Sequence, residues 1–163
     1  MASFTVKGLH HNACRCRDSE QTRQFYEDFL GLPLMLCFEI NVTKTGRNSK
    51  VLHSFYQMAD GSFLAFFEEP DEPFDFKSQR DFDLHIALEV SGEDLQGILT
   101  RARAAKMECR GISDHEFIHS IYLRDPNGYV IELTAKTPSH DHGTFDRDRA
   151  HSALQRWQAA KSV

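Results

Sequence analysis

The sequence predicts an α+β fold: two tandem βαβββ modules followed by a C-terminal helix. Three observations carry that prediction. LHSFYQMADGSFLAF (52–66) returns as IHSIYLRDPNGYVIEL (118–133), which places His53-Ser54-Phe55-Tyr56 under His119-Ser120-Ile121-Tyr122. The turn glycines Gly61 and Gly128 then align, with one residue fewer in the first turn. HNACRCRDSEQT (11–22) also matches HIALEVSGEDLQ (85–96), each a short strand that opens with His and leads into a helix. His119 follows His53 by 66 residues and His85 follows His11 by 74, a difference that loops of unequal length explain.

Module one opens with a strand over about 8–17. Asp18 or Ser19 caps a helix over about 19–30, with Phe25, Phe29 and Leu30 as its apolar positions. Gly31 and Pro33 of LGLP end it. Strands follow at about 34–43, 51–58 and 62–69, with KTGRNSK (44–50) as a loop and Asp60-Gly61 as a hairpin turn. PDEPFDFKSQRDF (70–82), with two prolines and mixed charge, reads as the linker between modules.

Module two repeats the order: a strand over about 83–91, a helix over about 92–105, then strands near 107–112, 118–124 and 129–136. Asp125-Pro126-Asn127-Gly128 turns its last hairpin. One domain thus spans 1–136, with module one over about 8–69 and module two over about 83–136. Residues 137–163 form a tail whose short helix near 147–160 aligns Ala150, Leu154 and Trp157 on one side. That stripe is expected to pack on the chain's own modules or on a second subunit. His140-Asp141-His142, before it, reads as solvated loop.

Composition excludes several function classes. A chain of 163 residues with 40% hydrophobic and 26% charged residues is long enough to bury one core. The net charge is −5 with both signs interspersed, which leaves no basic face for nucleic acid or an anionic membrane. No apolar run approaches the roughly 20 residues of a membrane span. MASFTVKGLHHNA lacks the charged start and apolar core of a signal peptide, so a cytoplasmic setting with reduced cysteines is expected. Cys14 and Cys16 share a strand face, but Cys37 and Cys109 form no second close pair. The pair therefore reads as small buried hydrophobes rather than as half of a structural zinc site.

Strand alternation sorts the candidate site residues. On the first strand His11, Ala13, Arg15 and Arg17 share one face; on the fifth, His85, Ala87 and Glu89 do. The opposite faces are the more apolar and should meet the helices, so both histidines point the other way. Glu132 ends the apolar run Tyr129-Val130-Ile131 inside a strand, where an unpaired carboxylate is expensive. Two histidines from different strands and one buried carboxylate form a metal-ligand set, with the remaining positions open to water, substrate or oxygen. The metal set is thus His11, His85 and Glu132. The module-one counterpart of Glu132 is Ala65, with Phe66 next, and neither binds a metal. Arg15 shares the His11 face, where it could hold an anion or pair with Glu89, its pseudo-symmetric counterpart.

HHNACRCRDSEQTRQFYEDFLGLPL and SIYLRDPNGYVIELTAK carry a family resemblance that covers about residues 8–136. The first resembles the opening strand and helix, and the second the closing hairpin, of the vicinal oxygen chelate superfamily. That superfamily includes glyoxalase I, extradiol dioxygenases, fosfomycin-resistance thiol transferases, methylmalonyl-CoA epimerase and bleomycin-resistance proteins. The resemblance implies a cup-shaped mixed sheet around a divalent metal held by His11, His85 and Glu132. His10 is not carried over, because the interval of seven from His to Asp fits His11 and Asp18. Ala65 or Phe66 stands where glyoxalase I and the epimerase supply a fourth ligand, so the three-ligand dioxygenases and fosfomycin enzymes fit better.

Tyr122, ten residues before Glu132, matches a tyrosine of the dioxygenases, although a purely structural role is equally open to it. His119 is out of phase with Tyr122 on a regular strand. His115, before the strand, is the freer candidate for proton transfer. The expected function is a small Fe(II) extradiol-type dioxygenase acting on a catechol-like small molecule, with Tyr122 and His115 as catalytic residues. Phe63, Phe66, Phe67 and Phe117 would line an aromatic site. The alternatives are a glyoxalase-like lyase, isomerase or thiol transferase using Mn, Ni, Zn or Mg, and a non-catalytic binding protein of the bleomycin-resistance type. The resemblance also implies a homodimer.

Overall fold

The computed structural model describes residues 4–78, 80–140 and 145–161. Two compact units make up the chain. The first comprises the described residues up to His85 together with Arg124–Val130, and the second comprises Ile86–Leu123 and the described residues from Ile131 onward. Two four-stranded mixed sheets, each accompanied by a helix, give the tandem βαβββ pattern that the repeat predicts.

In the first sheet β1 (His11–Cys16) runs parallel to β4 (Phe63–Glu68). Antiparallel β3 (Asn48–Gln57) and β2 (Leu34–Val42) complete the order β1-β4-β3-β2. The helix between β1 and β2 begins as α1 (Ser19–Arg23), where the Asp18 carboxylate accepts from Gln21 N. It continues as π-helical turns over Gln24–Phe29, with Leu30 N donating to Phe25 O at 3.0 Å. The wider turn changes which side chains face the sheet. Phe25 and Tyr26 are the buried pair, while Phe29 and Leu30 are only half-buried. The Tyr26 ring lies 4.7 Å from that of Phe66 and 5.7 Å from that of Tyr56.

In the second sheet β5 (Ile86–Glu89) is parallel to β8 (Val130–Lys136). Strands β7 (Ile118–Arg124) and β6 (Cys109–Asp114) follow, in the order β5-β8-β7-β6. The hydroxyl of Ser91 caps α2 (Gly92–Ala104) by accepting from Asp94 N, and Leu95, Ile98, Leu99 and Ala102 are its buried face. Leu88, Ile121, Leu123, Ile131, Leu133 and Ala135 are the buried apolar strand residues of this unit. No helix among the described residues is long and apolar enough to cross a membrane.

The tail helix α3 (Arg147–Ala160) forms as predicted, capped by Asp146, but none of its residues is buried. Leu154 and Trp157 are 55% and 65% exposed, which corrects the expected packing of that stripe on the chain's own modules. Three residues, one of them alanine, give too narrow a stripe to seat a helix. Of the tail triplet, Asp141 and His142 lie outside the described residues.

The repeat is also one residue tighter than its sequence alignment. Met58 N donates to Ser62 O and Gly61 N to Met58 O; in the second hairpin Asp125 N donates to Tyr129 O and Gly128 N to Asp125 O. The two turns are therefore equal in length. The match of His53-Ser54 to His119-Ser120 is a one-residue slip, which inverts every face assignment along the strand. In the corrected register Phe55, which pairs with Ala65, is the counterpart of Tyr122. The partners of Ala13 and Ala87, Ala65 and Glu132, settle Ala65 as the counterpart of Glu132.

The turn Asp125–Gly128 is built into the first unit. The Asp125 carboxylate accepts from the Tyr26 hydroxyl at 2.9 Å, Asn127 N at 2.9 Å, Tyr129 N at 2.8 Å and Asn127 Nδ2 at 3.1 Å. Burial still pushes its pKa up. Asn127 Oδ1 accepts from Arg17 N, and Asn127 Nδ2 also reaches Thr22 Oγ1. Gly128 has φ +96°, and a Cβ there would lie 2.6 Å from Lys77 N and closer still to Lys77 O. Lys77 N donates to Asn127 O at 2.8 Å, and Arg124 Nη1 donates to Gly128 O at 2.7 Å and Lys77 O at 3.3 Å. The 70–82 linker is thus clamped at Lys77.

Candidate functional site

Each sheet has one face against its helix and one turned away from it. On the first sheet the turned-away face carries His11 and Ala13 of β1, Phe63, Ala65 and Phe67 of β4, and His53 and Phe55 of β3. Aromatic rings dominate it. Phe55 lies 5.7 Å from His11, 5.9 Å from Phe63, 6.2 Å from Phe38 and 4.2 Å from His53. Phe66, expected on this wall, belongs instead to the helix side, against Tyr26. The β alternation explains the exchange: Phe63 and Phe67 face one way and Phe66 the other.

His53 is the residue that sequence reasoning missed, having used it only to mark the repeat. It is 6% exposed and stacks on Phe67 at 3.7 Å. Its Nδ1 lies 2.9 Å from Phe66 O. A carbonyl only accepts, so Nδ1 carries the proton and Nε2 is left as the basic nitrogen of the neutral ring. The available signal was the strand register, which the one-residue slip concealed.

On the second sheet the turned-away face carries Ala87, Glu132, Thr134, Tyr122 and Ser120. Glu132 is 5% exposed, and its Oε1 accepts from the Tyr122 hydroxyl at 3.2 Å. The same hydroxyl lies 3.1 Å from His115 Nε2. The structure therefore brings His115, Tyr122 and Glu132 into one hydrogen-bonded chain. The Arg110 guanidinium sits over the Tyr122 ring, 4.4 Å from its centre, and the Ser120 hydroxyl donates to Thr134 Oγ1 at 3.3 Å. His119 is out of this chain, as its phase predicts, and lies 3.6 Å from Asp114.

Of the expected metal ligands, His11 and His85 belong to the first unit and Glu132 to the second. His11 starts β1 and its Nδ1 is 2.8 Å from Nδ1 of His10. His85 immediately precedes β5, with Nδ1 2.6 Å from Asp81 O. That bond assigns the proton to Nδ1 and the lone pair to Nε2, the arrangement that metal-binding imidazoles adopt. The donor set therefore suits a divalent ion. Among the described residues of either unit, no three His, Cys, Asp or Glu side chains gather closely enough to hold a metal alone.

The expected Arg15–Glu89 ion pair is replaced by two others, Arg15 with Glu69 at 3.3 Å and Lys136 with Glu89 at 3.0 Å. Each charge finds an opposite partner within its own unit. Arg15 Nη2 also donates to the carbonyls of Glu69 and Glu72, which makes it an anchor for the chain after β4. Cys16 is fully buried and its thiol is pushed up to about 11 by burial, while burial raises the Cys14 thiol as well. Neither is a thiolate at neutral pH, as their reading as small hydrophobes requires.

The family model of the glyoxalase/bleomycin resistance protein/dioxygenase superfamily matches residues 8–133. The chain belongs to that superfamily. The superfamily includes metal-dependent members. No curated protein matches the chain significantly. Solved structures share the fold over most of the chain. A glyoxalase/dioxygenase from Nostoc punctiforme shares 22% identity, covering 84% of this chain and 99% of its own, with a TM-score of 0.63. A glyoxylase/bleomycin resistance protein/dioxygenase domain from Frankia sp. EAN1pec shares 17% identity over 85% and 99%, with a TM-score of 0.66. The fosfomycin resistance protein FosX from Listeria monocytogenes, complexed with Mn(II) and sulfate, shares 23% over 83% and 98%, with a TM-score of 0.61.

Proposed function

We propose that this superfamily member is a divalent-metal enzyme with His11, His85 and Glu132 as ligands, acting as a small Fe(II) extradiol-type dioxygenase on a catechol-like substrate. The hydrogen-bonded chain His115–Tyr122–Glu132 carries this reading. Bound there, the ion would supply Lewis acidity and open positions for the substrate's neighbouring oxygens and for dioxygen. The Tyr122 hydroxyl donates to the Glu132 carboxylate and orients it, while its oxygen accepts from His115 Nε2–H, so that a proton given up by Tyr122 is replaced from His115. His53, held by Phe66 O, offers Nε2 as a base on the face that carries His11. Phe38, Phe55, Phe63 and Phe67 suit a planar aromatic ring, through offset or edge contacts.

A second reading is supported by Arg110, whose cation beside Tyr122 suits an anionic substrate group. It makes the chain a lyase, isomerase or thiol transferase using Mn, Ni, Zn or Mg. We also propose that the exposed Leu154 and Trp157 are covered by a second copy in a homodimer. Oxygen uptake by the Fe(II)-loaded protein with a panel of catechols tests the first reading. Ring-cleavage product formed with consumption of oxygen is expected; metal binding without oxygen uptake would move the assignment to the second.

A further inference from the structure

We propose that segment 137–139, immediately after β8, is a strap that positions His115 toward Tyr122 through the carbonyl of Glu116. The inference rests on the reading of His115 as a proton-transfer group, and it makes Thr137 and Ser139 positioning residues. His115 sits in an unusually tight turn: its carbonyl accepts from Phe117 N at 2.9 Å, and its own N donates to Ile118 O at 3.0 Å. Glu116, between them, has φ +70°. A three-residue turn around a positive φ is strained for any residue but glycine, and persists only where the surroundings hold it.

The surroundings here come from two sides. The Asp114 carboxylate accepts from Glu116 N at 2.8 Å. From the tail, Thr137 Oγ1 and Ser139 Oγ both donate to Glu116 O, at 2.8 and 2.7 Å. Thr137 N donates to Phe117 O at 3.0 Å, which fixes the strap to the next residue as well. The Phe117 ring meets those of His140 and Phe145 at 6.2 and 5.8 Å, so residues just beyond the strap also rest on Phe117. A connection between a strand and an exposed helix needs no such attachment, since water satisfies its polar groups. What the attachment does fix is the direction of His115, whose Nε2 stands 3.1 Å from the Tyr122 hydroxyl.

The test reads the ring nitrogens of His115 by NMR in the metal-free protein, in wild type, T137V/S139A, T137S/S139T and Y122F. The wild type should show one fixed, hydrogen-bonded tautomer. T137V/S139A should shift to the averaged signal of Y122F, whereas T137S/S139T, which keeps both hydroxyls, should match wild type. In the loaded enzyme T137V/S139A should lose about tenfold in kcat with KM unchanged, as expected of a misplaced catalytic group. A wild-type His115 signal in T137V/S139A would overturn the strap, as would an averaged signal in T137S/S139T. If the double variant does not fold, T137V and S139A singly are read the same way, with smaller shifts expected and no shift overturning the proposal. These outcomes are separate from the function itself: a wild type that takes up no oxygen with catechols overturns the dioxygenase reading and leaves the His115 signal as the judge of the strap.

Discussion

Gly128→Ala should be among the most damaging single-methyl changes in this chain. Two effects add. At φ +96° any side chain meets its own backbone, a strain of roughly 1–2 kcal/mol. The added Cβ would also stand 2.6 Å from Lys77 N and 2.7 Å from Lys77 C, so the linker must move away. That movement breaks the Lys77 N bond to Asn127 O and the Arg124 bond to Lys77 O, together about 2 kcal/mol at ordinary net values. The total is about 3–4 kcal/mol, or roughly 6–16 °C in melting temperature for a domain of this size. Gly61→Ala is the control, because Gly61 has a similar φ of +85° and nothing within 4 Å of a Cβ. It should lose only the strain. Thermal unfolding of both variants, followed by circular dichroism at one protein concentration, gives the comparison. If Gly128→Ala melts no lower than Gly61→Ala, the clamp on Lys77 contributes nothing and the reasoning fails.

Tyr122→Phe keeps the ring under Arg110 but removes the hydroxyl shared by His115 and Glu132, so kcat should fall by about 10²–10⁴ with little change in KM. Initial rates decide it, and a wild-type kcat would remove Tyr122 from the chemistry. Asp125 holds its proton more tightly folded than unfolded, because burial raises its pKa above the ordinary 3.8. Its contribution to stability therefore falls as pH rises from that value through the raised one, and Asp125→Asn should abolish that slope in urea melts. A wild type that gained stability over the variant across the same window would contradict it. Native labelling with a thiol reagent near neutral pH should modify exposed Cys37 and spare Cys16, buried with its thiol at about 11; equal rates would contradict the burial. Leu154→Ala combined with Trp157→Ala should convert a dimer to a monomer in sedimentation, and an unchanged dimer would place the interface elsewhere.

Much of the fold was legible because its signals are local. Asp18, offered with Ser19 as a cap, announced the first helix, and the DG and DPNG turns announced the hairpins. Glu132 stood out by chemistry, a carboxylate within an apolar strand, and the structure buries it to 5% exposure. The errors have one physical origin, the two-residue period of a strand. A chance His-Ser identity slipped the repeat by one residue, and with it Phe55 and His53 vanished from view as members of the His11 face. The π turns after Arg23 defeated the helical period in the same manner, exchanging Phe29 for Tyr26. The Glu116 turn had no sequence signal, since glutamate is not a residue that advertises positive φ. Nor did the clamp on Lys77, which joins residues distant in sequence.

Metal content decides whether His11, His85 and Glu132 form a ligand set. Protein purified without oxygen and reconstituted with Fe(II) should carry about one ion per chain, as three donors with open positions imply. His11→Ala, His85→Ala and Glu132→Ala should each reduce that content to near zero while keeping the wild-type circular dichroism spectrum. A wild type that binds no Fe(II), Mn, Ni, Zn or Mg, or a His85→Ala protein that keeps its full metal content, would contradict the account.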